Sequence, residues 1–309
     1  MKSIRSYSLA IMLACAATAG SAQAQTKLKM MYTPVSGFTA GYVAQEQGFW
    51  KKRNIDVEFM PTASSGNNPP ALVSGSVQIA GPTLPTLLQA NDNGLDLVVI
   101  SSGAVYPLEA DILIARQGSG VQKPADLKGK TVGVPGLGAL LHFMLIRNLQ
   151  KNGVDPASVR FVEVGFPQAA DALKSGQIDA YPAQAPFTAR ILQSGAGYEV
   201  QNWLKDTPDG TLTVVFATTR KWAEENKQTV QDLRAGLKEA VEFSKANRPQ
   251  MYEAIAKYTK LPTQVVSSLA PPNLEVDTTP QQIKFWIDLA KEQGAIKGNP
   301  DPAKVIYQP

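Results

Sequence analysis

Ala71-Leu72-Val73-Ser74-Gly75-Ser76-Val77-Gln78-Ile79-Ala80 has a near copy far downstream, Ala172-Leu173-Lys174-Ser175-Gly176-Gln177-Ile178-Asp179-Ala180. Each reads as the last turn of a helix, a glycine stop and a short apolar strand. The likeness extends upstream: Tyr42 to Gly48 followed by Ile55-Asp56-Val57-Glu58-Phe59 is echoed by Leu145 to Gly153 followed by Val159-Arg160-Phe161-Val162-Glu163. The chain is therefore expected to fold as two similar α/β lobes. Two such lobes enclose a cleft, and a cleft of that kind closes on a small molecule.

The N-terminus carries a positive start (Lys2, Arg5), an uncharged apolar run from Tyr7 to Gly20 and a small-x-small site, Ala22-Gln23-Ala24. This is the pattern of a cleaved signal peptide over 1–24, so the mature chain should begin at Gln25 in the periplasm. The apolar run is too short to span a bilayer as a helix. Cys15, after Met12-Leu13-Ala14, leaves a lipoprotein as the alternative, but the small-x-small site beyond it fits better. Cys15 is the only cysteine of the chain. Cleavage thus leaves no disulfide, no thiol nucleophile and no cysteine metal site. Removing Lys2 and Arg5 from a formal charge of +4 leaves +2. No basic stripe suited to nucleic acid is present.

Along the mature chain, Leu28 to Tyr32, Ile55 to Phe59, Val77 to Ala80 and Leu95 to Ile100 read as strands. Helices are expected over Thr39 to Gln47, ending at Ser74, and over Leu84 to Asn91. Strand, helix, strand, helix, strand is a parallel α/β unit. Ala110 to Ala115 reads as the last strand of this unit, and the polar stretch Gln117 to Lys130 as the crossing into the second. There Thr131 to Val134, Val159 to Val164 and Ile178 to Ala180 repeat the strands, with a long helix to Lys151 between the first two. Leu212 to Thr218 reads as the returning strand, so two connections would form a hinge. Helices after Arg220 should pack back on the first lobe. The expected division is lobe 1 over 25–115 and 217–309, and lobe 2 over 116–216.

Tyr42-Val43-Ala44-Gln45-Glu46-Gln47-Gly48-Phe49-Trp50 with Ile55 to Glu58, then Gly129-Lys130-Thr131-Val132-Gly133-Val134, Ala172 to Ala180 and Val215-Phe216-Ala217-Thr218, resembles in order and spacing the nitrate/sulfonate/taurine type of periplasmic substrate-binding protein. The resemblance covers nearly the whole mature chain. It implies a two-lobe type II periplasmic-binding-protein fold, a small-molecule solute as ligand, and the transmembrane permease of an ATP-binding-cassette importer as partner. A thiamine-pyrimidine synthase branch shares the fold class, but depends on a cysteine-rich motif that the mature chain lacks.

Gly136-Leu137-Gly138-Ala139-Leu140 follows a strand and opens a helix, where unpaired N–H groups and the helix dipole make an anion site. The resemblance also places a ligand's acidic head at this loop. A plain tight turn would use the same glycines. His142, the only histidine, falls one turn into that helix and could reach the cleft or pack among Leu140, Leu141 and Phe143. In the first lobe Ser36, Gly37, Phe38 and Thr39 follow the first strand, Ser65 and Gly66 the second, and Pro82 and Thr83 the third. Ligands of open α/β sheets sit outside the carboxyl ends of strands, so these loops should share one rim. Ordinary cap and turn chemistry accounts for the same residue types. Phe38, Tyr106, Tyr181 and Phe187 fall at loops or strand ends and would line a flat pocket. Trp50, Trp203, Trp222 and Trp286 read as packing, and Arg190 and Arg220 as solvated or capping residues.

One histidine and no mature cysteine exclude a zinc site of the usual kind and any catalytic triad not built on His142. Neither a Gly-x-Ser-x-Gly elbow nor a phosphate loop occurs. The expectation is a monomeric binding protein with no catalytic residue, metal or cofactor, and with a small organic anion as ligand, an aromatic carboxylate or sulfonate ahead of a pyrimidine. The rivals are an exported enzyme using His142 with Asp179 or Glu109, and the ligand sensor of a signalling receptor.

Overall fold

The computed structural model describes residues 25–106, 111–201 and 207–309. The segment read as a signal peptide, Glu109 and Trp203 lie outside them. The first part runs β1 (Thr26–Tyr32), α1 (Thr39–Glu46), β2 (Ile55–Pro61), α2 (Asn68–Val73), β3 (Ile79–Ala80), α3 (Leu84–Asp92) and β4 (Leu97–Val105). Next come β5 (Ile112–Arg116), β6 (Thr131–Val134), α4 (Leu140–Lys151), β7 (Arg160–Glu163), α5 (Ala169–Lys174), β8 (Ala180–Ala183), α6 (Phe187–Gln193) and β9 (Gly197–Gln201). The chain returns through β10 (Leu212–Thr219) to α7 (Arg220–Glu225), α8 (Lys227–Ala246), α9 (Arg248–Thr259), α10 (Thr263–Ser267), α11 (Pro280–Glu292) and α12 (Pro302–Val305).

The repeated phrase makes the same structure twice. Gly75 and Gly176 end α2 and α5 at φ +73° and +76°, a left-handed conformation that a Cβ disfavours. Their N–H groups donate to Leu72 O and Leu173 O, both at 3.1 Å, and those of Val77 and Ile178 to Ala71 O and Ala172 O, both at 3.3 Å. This closing pattern satisfies the last carbonyls of each helix and turns the chain into the following strand.

The strands form two five-stranded sheets, ordered β2-β1-β3-β10-β4 and β7-β6-β8-β5-β9. The orders match if β1 to β4 are set against β6 to β9, and β10 against β5. Each sheet thus receives one antiparallel strand from the other half of the chain: β10 pairs with β3 and β4, and β5 with β8 and β9. This corrects the sequence reading, which gave 110–115 to the first lobe. An apolar run buried on both faces looks the same whichever sheet receives it. The two connections between sheets lie between β4 and β5 and between β9 and β10.

Helices α8, α9 and α11 cover the first sheet, as expected. Trp50 and Trp286, both fully buried, donate their indole N–H to Leu233 O and Leu212 O, each at 3.0 Å. Burial of these rings is affordable because neither N–H is orphaned. Tyr42 of α1 stacks on Tyr258 of α9 at 4.6 Å between ring centroids. Trp222 is only partly buried and packs on the core edge. Arg220 is held at the surface by Asp96, at 3.0 Å, and by Lys304 O.

The lobes touch across the cleft. The Ser36 N–H donates to Ala185 O at 3.0 Å, Gln89 Nε2 to Gly138 O at 2.9 Å and Gln293 Nε2 to Phe143 O at 2.8 Å. Among the described residues no helix is long and apolar enough to cross a membrane.

Candidate ligand cleft

The carboxyl ends of the parallel strands of both sheets face one cavity of about 40 Å³, small beside the several hundred Å³, roughly 300–1,000, of drug-sized sites. Thr33 and Val35 reach it from the end of β1, Ser65 from β2, and Gly81, Pro82 and Thr83 from β3. From the second lobe come Pro135 and Ala139 to Leu141 after β6, Phe166 after β7 and Gln184 after β8. Thr213 and Val214 of β10 complete it.

Its surfaces are of two kinds. Phe38, Phe166, Val35 and Val214 give apolar walls. Phe38 is held edge-on by Tyr32 and Phe216 at centroid distances of 6.2 and 5.6 Å. Polar capacity comes from groups with nothing else to bind: the hydroxyls of Thr33 and Ser65 are buried without a hydrogen-bond partner. These side chains are 8 % and 7 % exposed as residues, so an unpaired hydroxyl here is costly unless something enters to pair with it. Opposite them α4 begins. Ala139 is its N-cap, in extended conformation and without a side-chain cap, so the N–H groups of Leu140 and Leu141 have no intrahelical acceptor. Two hydroxyls and the positive end of a twelve-residue helix around an apolar cavity suit an anionic or carbonyl oxygen. None of the residues lining the cavity, among those described, carries a formal charge.

Of the expected site residues, Phe38, Ser65, Pro82, Thr83, Ala139 and Leu140 are brought together here. Ser36, Gly37 and Thr39 lie immediately behind the wall. Ser36 makes the lobe-to-lobe bond above, Thr39 Oγ1 donates to Ser36 O, and a Cβ on Gly37 would sit 2.5 Å from Val214 Cγ2. Gly66 is exposed and donates to Ser64 Oγ at 3.4 Å. Gly136 faces the first lobe closely enough that a Cβ there would be 3.3 Å from Ser64 Oγ.

The other aromatic residues belong to the core. Tyr181 is fully buried with its hydroxyl on Val164 O at 2.9 Å. Phe187 stacks behind Phe166 at 5.5 Å, and Tyr106 is buried beside the carboxyl of Asp111. Tyr181 and Phe187 are packed within their own lobe, so these rings need no ligand. His142 does not line the cavity either. Its Nδ1 accepts the Gly138 N–H at 2.9 Å, and its ring lies edge-on to Phe161 at 4.6 Å. Burial lowers its pKa, in keeping with a neutral ring whose Nδ1 acts as acceptor. The Gly138 N–H is thereby used up, so the anion-facing amides are those one and two residues beyond Ala139. Arg116 and the Thr131 N–H hold Asp179 at 2.8 and 3.0 Å, so Asp179 does not orient His142.

Thr33, Gln184 and Phe166 were missed by sequence reasoning although the repeat points to them. Thr33 follows β1 as Pro135 follows β6, Gln184 follows β8 as Gly81 follows β3, and Phe166 follows β7 as Ser65 follows β2. Gln184 Nε2 donates at 3.0 Å to Asp111 Oδ2, a carboxyl fully buried where the chain enters β5. Burial pushes this carboxyl up to about 7 against the bonds from Gln184 and the Ala185 N–H, which favour its ionised form. No cluster of His, Cys, Asp or Glu capable of holding a metal ion occurs among the described residues.

Two sheets of this strand order, with a cavity at facing carboxyl ends, define the two-lobed periplasmic-binding-protein fold. The sequence places the chain more narrowly: a family model described as NMT1/THI5 like matches residues 36–250, and the chain belongs to that family. The chain is 29 % identical over 252 residues to a candidate aliphatic sulfonates-binding protein of Escherichia coli (strain K12), covering 77 % of this chain and 75 % of that one. It is 30 % identical over 139 residues to a formylaminopyrimidine-binding protein of Halalkalibacterium halodurans, covering 45 % and 41 %. Among solved structures, the alkanesulfonate-binding protein SsuA from Xanthomonas axonopodis pv. citri, bound to MOPS, superposes with a TM-score of 0.79 at 21 % identity, over 93 % of this chain and 99 % of that one.

Proposed function

We propose that this protein is the exported solute-binding component of an ATP-binding-cassette importer, and that it captures a small organic anion, an aromatic carboxylate or a sulfonate. The observation that carries the reading is the pairing of the buried, unpartnered Thr33 and Ser65 hydroxyls with the first amides of α4 across one apolar cavity. Neutral donors in a desolvated site bind a monoanion without a cationic side chain, because each charge-assisted bond contributes roughly 1.5–3 kcal/mol. The flat apolar walls of Phe38 and Phe166 suit a ring or a short chain behind the head.

The mature chain would begin at Gln25, work as a monomer in the periplasm, close about its hinge on the solute and present the closed form to the permease. No reaction is assigned to it: His142 Nδ1 is occupied by Gly138 and Asp179 by Arg116. The sulfonate-binding relative supports the anion reading. The formylaminopyrimidine-binding relative supports a second one, in which the hydroxyls and Gln184 pair with a ring's polar edge.

Calorimetric titration of the purified mature chain with benzoate, benzenesulfonate, a short alkanesulfonate and an aminopyrimidine separates the two. The anion reading expects at least one anion to bind about 100-fold or more tighter than the pyrimidine, as the sum of two charge-assisted bonds requires. Saturable pyrimidine binding with all three anions silent would replace it with the second reading.

A further inference from the structure

Gly138 is gripped from both lobes. Its carbonyl accepts a hydrogen bond from Gln89 Nε2 of α3 at 2.9 Å, and its N–H donates to His142 Nδ1 of α4, also at 2.9 Å. Gln89 Nε2 also donates to Pro85 O at 3.0 Å, so the amide is fixed to its own helix before it reaches across. Gly138 has φ +73°, and Ala139, the next residue, is the N-cap of α4. The Gly138–Ala139 peptide, held by Gln89, sets the direction in which α4 starts. One turn further along, Gln293 of α11 reaches the Phe143 carbonyl of the same helix at 2.8 Å.

We propose that Gln89 and His142 are positioning residues that together clamp Gly138 through the two peptides flanking its Cα, so that the start of α4 takes its cavity-facing orientation only when the lobes are closed. The proposal rests on the anion-site reading for its purpose, but the clamp itself is a matter of lobe geometry. Gln89 supplies the only part of the clamp that opening breaks. His142 supplies the part that fixes the preceding Leu137–Gly138 peptide, so that the Gly138 Cα is held while Gln89 pulls on the next one. This accounts for a histidine ring whose Nε2 is buried without a partner: Nδ1 is the atom in use, and the cost of the orphaned Nε2 is borne to keep it there. A ring serving only to fill space would be replaced without loss by leucine.

The chain's single cysteine, Cys15, lies in the segment read as a leader, so spin labels can be placed freely. Glu58 of β2 and Lys174 of α5 are exposed, one on each lobe. With Glu58→Cys and Lys174→Cys labelled in protein freed of bound solute by unfolding and refolding, pulsed electron resonance reads the populations of short and long inter-lobe distances.

Gln89→Leu removes the cross-lobe donor from a half-exposed surface position, and should lower the closed-to-open ratio about tenfold, the value of roughly one hydrogen bond. His142→Leu should do the same, whereas His142→Gln, whose Oε1 can still accept the Gly138 N–H, should restore the wild-type ratio. Combining Gln89→Leu with His142→Leu should give little more than either alone, because both act on one residue, Gly138.

An unchanged distance distribution in Gln89→Leu overturns the clamp. Equal ratios for His142→Leu and His142→Gln return His142 to packing and overturn its half. Neither readout uses a ligand, so a failed anion titration leaves this measurement standing, and the two failures are distinct.

Discussion

Ala139→Asp is expected to abolish anion binding while leaving the protein folded. Ala139 is the N-cap of α4, extended at φ −92° and ψ 177° and without a side-chain cap. An aspartate there can accept the Leu141 and His142 N–H groups, a capping bond that contributes about 0.5–2 kcal/mol over alanine. Burial of the carboxylate, at a position 4 % exposed, offsets that gain. The unfolding midpoint should therefore move by only a few degrees. The carboxylate would, however, occupy the place of the ligand's head and take the Leu141 amide from it. Losing that charge-assisted bond, about 1.5–3 kcal/mol, and meeting a like charge in the same place together correspond to a loss of roughly 100-fold or more in affinity. Ala139→Asn caps the helix without the charge and should cost less. Near-wild-type affinity in the aspartate variant would remove the anion from the start of α4.

The second large effect is on stability against pH. Asp111 is fully buried and its carboxyl is pushed up to about 7, from an ordinary value of 3.8, by burial. Between these values the native protein keeps a proton that the unfolded chain releases. Stability is thus fully present at the acid end and falls as pH rises toward 7. Each unit corresponds to about 1.4 kcal/mol, so the loss over three units is about 4 kcal/mol at the upper limit. Asp111→Asn keeps an acceptor for Gln184 and cannot ionise, so it should lack this fall; His142, held neutral by burial below its ordinary value of 6.5, instead gives it a rise as pH approaches 6.5. The two proteins should be about equally stable near pH 4, with the asparagine variant the more stable at pH 8. Chemical denaturation at pH 4.5, 6 and 8 checks this, and parallel curves would contradict it. The functional consequence follows from Gln184, which touches both Asp111 and the cavity: a neutral Asp111 leaves the cavity floor without a negative charge to repel an anion.

The two-lobe fold was legible in the sequence because the residues that specify it act locally. Gly75 and Gly176 close their helices through neighbours a few residues away, and those bonds are the same twice over. What was not legible depends on pairing across the chain. Nothing in Ile112 to Arg116 says whether it joins β4 or β8, and only the register with Ala180 to Ala183 places it in the second sheet.

The rim of the cleft was legible to the extent that strand ends were. Ser65, Pro82, Thr83 and Ala139 follow strands and reach the cavity. Tyr106, Tyr181 and Phe187 also sit near strand ends, but they are buried in the core, Tyr181 and Phe187 against Val164 and Phe166 of their own lobe and Tyr106 beside Asp111. A second distinction lies below the resolution of any motif. Gly136 to Leu140 opens a helix, the pattern of an anion loop, and the loop does adjoin the cavity. Its Gly138 N–H is bonded to His142, and at φ +73° a Gly138→Pro change would test the turn rather than the site.

The central claim is that the protein binds one small organic anion in this cleft without altering it. Native mass spectrometry of protein purified from its host, followed by identification of what is released on denaturation, tests it most directly. One carboxylate or sulfonate per chain is expected, absent from the Ala139→Asp variant and unchanged in mass after prolonged incubation. A cation, a pyrimidine or a converted product in its place would contradict it.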